Sequence, residues 1–388
     1  LDRSLLSSYL ISPNNILTMT SMLSAIINEC CIPILVIFGL GWLSGGLKLF
    51  NQSDLAALNR FVFLFCFPVL IFRGLANNTF KAEYVQFASS YLIVTLYSFI
   101  LAGIIALFFT KRQKLREFTT HFPHFCWANS VLIGIPVINA IFGEEAAALY
   151  PILHTLASVV VQMPIVVFFF ELTRTRKDLG LEESDEPQDE EIVNDNDGSV
   201  DGVEMKKTRK VSAVETSDVV PDASKEAEGS FCGKVAKKVG VGLLKNPTVW
   251  AMVLGLIWGA TPWDLPVAVA SIVDQLAGMV TPGGIFAVGL FFGLYKEPIE
   301  WKWSILYFLG RMVGSVGVIF GFVKLMGFDK TLAHSAMALA GTPVALAAFT
   351  HAKEYDINPH RYPPVLLLEL LLLLPVQYLI SVIVDIFW

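Results

Sequence analysis

Long apolar runs alternate with short polar turns along this chain, and the lengths of the runs give the first reading. "YLIVTLYSFILAGIIALFF" at 91–109 carries no charge over a length that matches the hydrocarbon core of a bilayer. Runs of this kind predict ten spans. Five lie at approximately 24–45, 56–75, 84–109, 122–142 and 147–171, and five more at approximately 247–262, 267–294, 303–327, 331–351 and 362–387. The chain therefore divides into an N-terminal segment (1–23), a first set of five spans (24–172), a hydrophilic loop (173–246) and a second set of five (247–388). The loop is rich in Asp, Glu, Lys, Ser and Val without a sustained apolar period, so it reads as mostly disordered. Its end, "FCGKVAKKVGVGLL" at 231–244, reads as a short amphipathic helix on the membrane surface.

Lys and Arg in short loops set the expected orientation. Lys111, Arg112, Lys114 and Arg116 follow the third span, and Arg174, Arg176 and Lys177 follow the fifth. "GEEAAALYP" after the fourth has no basic residue. Alternation then places both termini outside and the 173–246 loop in the cytoplasm of a multi-pass protein of the plasma membrane or an endomembrane; the "KLMGFDK" turn at 324–330 is a mild exception.

Composition agrees. The 388 residues are 54% hydrophobic and 16% charged, against about a quarter charged in an ordinary soluble domain. An all-α integral membrane protein is the fold class. Part of the net charge of −6 comes from the loop run "EESDEPQDEEIVNDND", so it says little about partners. The basic clusters are short and flank spans, which speaks against nucleic acid. The five cysteines show neither metal spacing nor a pairing pattern, and no motif asks for a cofactor. "LDRSLLSSYLISPNNILTMT" lacks the order of a signal peptide.

Two stretches carry the chemistry. "LIGIPVINAIF" at 132–142 and "LAGTPVALAAF" at 339–349 share L-x-G-x-P-V-x-x-A-x-F, with a helix breaker inside an apolar span each time. "FPVLIF" at 67–72 matches "TPGGIF" at 281–286, Pro33 matches Pro247, and Pro164 matches Pro375. Four matches in order predict two homologous halves of five spans. An odd number of spans per half forces the second half to insert inverted, as in many secondary transporters. Pro136 and Pro343 each remove a backbone donor, and Gly134 and Gly341 tolerate the resulting geometry. Irregular backbone at that depth survives only when buried or lining a cavity, and exposed half-helix N-termini favour an anion. The two breaks are the expected substrate site. Asn129, about two turns before Pro136, is open to three readings: donor to a carboxylate, cap of the break, or bond to a neighbouring helix.

These same residues resemble the auxin efflux carrier family. "ANSVLIGIPVINAIFGEE" (128–145) is similar to its fourth helix, and "GTPVALAAFTHAKEYDINP" (341–359) to its ninth helix and exit. "FVFLFCFPVLIFRGLA" (61–76) and "LAGMVTPGGIFAVGLFFGL" (276–294) resemble its second and seventh. The resemblance implies ten helices in two inverted five-helix repeats, a scaffold and a transport domain, and crossed broken helices in an NhaA-like arrangement. It also implies organic-anion transport, a homodimer as the family's habit, and a substrate-contacting role for Asn129 with crossover roles for Pro136 and Pro343. Two departures weaken the auxin-specific reading. "FASSYL" (87–92) stands where plant carriers place an acidic residue, and Ala347-Ala348 stands where they have a second proline.

Arg311 and Glu369 are the most deeply placed charges and are expected to pair, because an unpaired charge at that depth costs several kcal/mol. His121 and His124 form an H-x-x-H that two ligands alone do not make a metal site. "RKVS" at 209–212 offers a kinase a weak basic-directed site, and the loop could also meet another cytoplasmic partner. No nucleotide-binding loop and no nucleophile–base spacing is present, so the chain does not read as a pump or an enzyme. The leading expectation is a carrier exporting a small organic anion by alternating access. The rival is a carrier-like sensor that signals through the loop, and an antiporter is disfavoured because the breaks lack an Asp or Glu.

Overall fold

The computed structural model describes residues 21, 23–77, 82–110, 113–178, 233, 235–242, 244–295 and 301–388. The N-terminal 1–20, the Arg-Lys-Val-Ser stretch, Cys232 and most of the hydrophilic loop lie outside these residues. The described elements are helical, and the one isolated β-bridge pairs Ala128 with Val344. In chain order they are α1 (Leu23–Gly46), α2 (Gln52–Ala76), α3 (Tyr84–Phe109), α4 (Lys114–Cys126), α5 (Gly134–Phe142) and α6 (Glu144–Asp178). There follow α7 (Val235–Gly242), α8 (Pro247–Gly259), α9 (Val267–Leu294), α10 (Trp303–Leu325), α11 (Lys330–Ala340), α12 (Leu346–Glu354), α13 (Pro359–Leu371) and α14 (Leu373–Phe387).

Six of these helices, α1, α2, α3, α6, α9 and α10, are long and apolar enough to cross a membrane. Two bent pairs, α7–α8 at 57° and α13–α14 at 56°, raise that to eight if each is one span. The pairs α4–α5 and α11–α12 have members of 13, 9, 11 and 9 residues. At about 1.5 Å per residue none of these crosses a bilayer alone. α4 starts at Lys114 rather than near 122. Its charged first turn hides it from a hydropathy reading, yet Phe118 to Cys126 are all buried.

Local chemistry explains where the helices start. Asn51 caps α2 with a full capping box, its side chain accepting from the Ser53 and Asp54 amides. Asp329 accepts from Leu332 N at 3.0 Å to open α11, and Asn246 with Pro247 at the first helical position opens α8. Gly143 joins α5 to α6 at φ +85°, a conformation that favours glycine. Inside α1, α2 and α6, π-helical turns at 26–31, 62–66 and 158–162 each end two residues before a proline, Pro33, Pro68 or Pro164. A proline cannot donate to the turn before it, and the backbone widens there.

Glycine sets the closest helix crossings. A Cβ on Gly41 would strike the Phe286 carbonyl, and one on Gly289 the Phe38 carbonyl; Gly45 and Gly293 face each other one turn further on. This small-x-x-x-small seam brings α1 and α9 backbone to backbone, which is how helices associate where lipid removes the hydrophobic drive. Gly255 of α8 lies in the same way against Phe72 and Leu75 of α2.

The expected amphipathic helix is present over Val235–Gly242, but it is anchored to the protein. Val235 and Val239 are buried, and Lys238 reaches Glu171 of α6 at 2.7 Å.

Candidate functional site

The two broken pairs meet at their breaks. α4 ends at Cys126 and α11 at Ala340, and between each and its partner half-helix the backbone is extended or turned. Asn129 N donates to Pro343 O at 2.7 Å, and Ala345 N donates to Trp127 O at 2.9 Å. Trp127–Ala128–Asn129 and Pro343–Val344–Ala345 thus form a short antiparallel ladder that satisfies backbone groups the two breaks leave without helical partners.

This registration differs from the one the shared motif predicts. Pro343 lies in the second break, but Pro136 is the third residue of α5, after a first break that runs through 127–133. A proline in a first helical turn removes an amide that has no intrahelical acceptor anyway, so Pro136 marks a helix start. Gly134 and Gly341 serve close packing: a Cβ on Gly134 would meet the Leu339 side chain, and one on Gly341 would meet Ile380 and Gln377.

Arg311 and Glu369 do not pair directly, which corrects the sequence expectation. Arg311 donates to Phe125 O at 2.9 Å and to Thr342 O at 3.4 Å, at the C-terminal ends of α4 and α11. Glu369 accepts from Val344 N at 2.6 Å, just before α12. Orphaned carbonyls at half-helix ends attract the cation and an orphaned amide attracts the anion. Each charge is therefore drawn to the crossover backbone rather than to the other. Gly310 gives Arg311 room, since a Cβ there would meet the Phe125 ring.

Beside the ladder lies a cavity of about 1020 Å³. Its deep wall carries Asn129, Ser130, Thr155 and Ser158, and its mouth carries Arg60, Lys245 and Lys353. Most of the rest is apolar, including Phe63, Phe67, Met163 and Phe291. Asn129 and Ser130 are 6% and 5% exposed. The Asn129 Oδ1 accepts from Leu132 N at 3.2 Å, capping the turn into α5, and its Nδ2 has no acceptor among the described residues. Ser130 shares a 3.1 Å hydrogen bond with Thr155. Leu346 and Ala347, the first two residues of α12, also line the cavity, and such positions have no intrahelical acceptor for their amides. Of the residues singled out from sequence, Asn129 lines this cavity; Pro343 accepts from the Asn129 amide in the ladder but does not line it, nor do Gly134, Pro136 and Gly341.

Around it the polar residues are held in structural networks. His121 faces Tyr307 at 2.7 Å, and His124 is stacked between Tyr307 and Tyr362 at 3.8 and 3.6 Å. Arg361 forks onto Glu117 at 2.7 and 3.1 Å. Outside the spans, Lys177 at 2.9 Å from Asp356 holds that carboxyl below its usual range. In α3, Ser89 and Ser90 bond back to Gln86 and Phe87 carbonyls, and Tyr91 donates to Ala336 O at 3.1 Å. None of the three lines the cavity.

Sequence reading missed Ser130, Thr155, Ser158 and the first turn of α12. Thr155 and Ser158 share a face one turn apart, but so do many helical Ser and Thr pairs, and only the fold brings them to Asn129.

Comparison with known proteins places the chain. Residues 26–381 match the family described as membrane transport protein. Auxin efflux carrier component 8 of Arabidopsis thaliana is 26% identical over 359 residues, covering 89% of this chain and 93% of that protein. Auxin efflux carrier component 5 of the same plant is 22% identical over 361 residues, covering 90% and 93%. Probable auxin efflux carrier component 9 of Oryza sativa subsp. japonica is 22% identical over 401 residues, covering 85% and 91%.

Proposed function

We propose, for a chain that belongs to the membrane transport protein family of the auxin efflux carriers, that it is a secondary carrier exporting a small organic anion, its substrate bound where the broken helices cross. The observation that carries this reading is the cavity reaching Asn129, whose Nδ2 has no acceptor among the described residues, beside the uncapped first turn of α12. A carboxylate seated there would take a hydrogen bond from Asn129 and the amides of Leu346 and Ala347, aided by the positive end of the half-helix. The largely apolar wall fits the body of an aromatic or aliphatic monocarboxylate. Auxin-like substrates are the first to test.

Alternating access around a ten-helix, inverted-repeat frame is the mechanism we favour. The packing of α1 on α9 and of α2 on α8 supports it, because exchanging the two halves turns one contact into the other. The ladder at the crossover exchanges with itself under the same operation. With the cavity mouth on the cytoplasmic side, as the basic loops predict, an inside-negative potential drives export. One anionic charge gains about 2.3 kcal/mol per 100 mV on leaving.

Efflux of labelled indole-3-acetate and short carboxylates from proteoliposomes under an imposed potassium-diffusion potential tests the proposal. Flux that rises as the cavity side is made negative is expected. Saturable binding with no flux at any potential is the behaviour of a sensor and would remove the carrier reading.

A further inference from the structure

Cationic side chains outnumber anionic ones around the cavity. The charged residues lining it are Arg60, Lys245, Lys353 and Glu354, a net of +2. The three cations come from three places: the N-terminal half of α2, the segment between α7 and α8, and the end of α12. All three are exposed. Elsewhere Arg73, Lys177, Lys238, Lys330 and Arg361 each hold a carboxylate within 2.6–2.9 Å. Arg60, Lys245 and Lys353 have no such ion pair among the described residues. An excess of cations, none of them in an ion pair among the described residues, at the mouth of a largely apolar cleft focuses the field into it, because low-dielectric walls screen poorly.

We propose that Arg60, Lys245 and Lys353 form a capture ring, a peripheral site that draws small organic anions into the cavity and hands them to the crossover. The inference rests on the cavity being the substrate path. The ring governs entry and the crossover governs translocation. Neutralising the ring raises KM and leaves Vmax in place, and its effect fades as salt shortens the screening length, about 10 Å at 0.1 M. The separate origins of the three cations matter. Whatever moves α12 relative to α2 opens the ring and weakens its hold, so an anion caught at the mouth is released inward.

A cysteine reporter measures this field without relying on transport. Ala56 is exposed, lines the cavity and precedes Arg60 by one helical turn. Ala56→Cys protein in neutral detergent is reacted with anionic sulfonatoethyl and cationic trimethylammonioethyl methanethiosulfonate, and the reaction of the unsubstituted chain is subtracted. Normalised to free cysteine, the anionic reagent is expected to be favoured by about fivefold or more at low salt, falling below about twofold at 0.5 M salt. Adding Arg60→Gln, Lys245→Gln and Lys353→Gln should produce the same fall at low salt. A ratio near one in the Ala56→Cys protein, or one unchanged by the three substitutions, overturns the ring. In proteoliposomes the triple variant should raise the KM for indole-3-acetate severalfold with Vmax within about twofold. A Vmax collapse at unchanged KM contradicts the proposal. If the reagent ratio behaves as expected while indole-3-acetate shows no flux, the ring stands and the carrier reading is what fails.

Discussion

Arg311→Met is expected to destabilise the protein by about 2–6 kcal/mol, since each buried acceptor left without its donor costs about 1–3 kcal/mol. The substitution strands the carbonyls of Phe125 and Thr342 at two half-helix ends and removes the guanidinium from the surroundings of the Glu369 carboxyl beside Val344. Glu369→Gln keeps an acceptor for the Val344 amide but isolates the guanidinium instead, so a similar loss is expected. The double variant Arg311→Met/Glu369→Gln removes both charges but still strands the two carbonyls, so it should recover only a small part of the stability. Exchanging the charges, Arg311→Glu with Glu369→Arg, should recover none, because a carboxylate would then face two carbonyls and a guanidinium an amide. Thermal midpoints of the five proteins in detergent check this. Rescue by the exchange would show that the two side chains act on each other rather than on the crossover backbone.

Gly289→Leu should be at least as damaging. The added Cβ alone would overlap the Phe38 carbonyl, and α1 cannot retreat without opening its whole seam with α9. Overpacking a core costs typically about 1–3 kcal/mol when side chains can yield; here the obstacle is backbone, so loss of the folded species is the expected outcome. At Gly39 and Gly46 of α1 an added Cβ would meet nothing within 4 Å, and Gly39→Ala and Gly46→Ala should leave yield and thermal midpoint unchanged. Equal sensitivity at all three positions would mean that helix conformation, not the α1–α9 seam, is what these glycines serve.

Hydropathy marked the six helices that are long and apolar enough to cross a membrane, because each apolar run has to match a bilayer, and it misplaced the start of α4, which is not uniformly apolar. The first turn of α4, with Lys114, Arg116 and Glu117, looked like loop because its partners Asn358 and Arg361 are more than 240 residues away. The Gly-x-Pro signal marked the right neighbourhood of both breaks but the wrong register in one. Proline is as content in a first helical turn as in a gap, and the residues at the first break, Trp127, Ala128 and Asn129, include no breaker. Asn129 was legible through its place before the motif. Its neighbours Ser130, Thr155 and Ser158 were not, since ordinary hydroxyls on apolar helices acquire meaning only when two helices converge. The pairing of Arg311 with Glu369 looked compelling because depth can be counted along a helix, whereas the competing claims of half-helix ends cannot.

If the substrate sits at the crossover beside Asn129, as proposed, losing that side chain should largely abolish transport. Efflux of labelled indole-3-acetate and a panel of short carboxylates from proteoliposomes, native protein against Asn129→Ala at matched folded content, is the decisive comparison. The variant keeps the backbone ladder through its own amide, so the fold should persist while flux falls by about tenfold or more, as expected when a hydrogen bond to a charged group is lost. Flux equal to that of the native protein would contradict the claim and move the site away from the crossing of the broken helices.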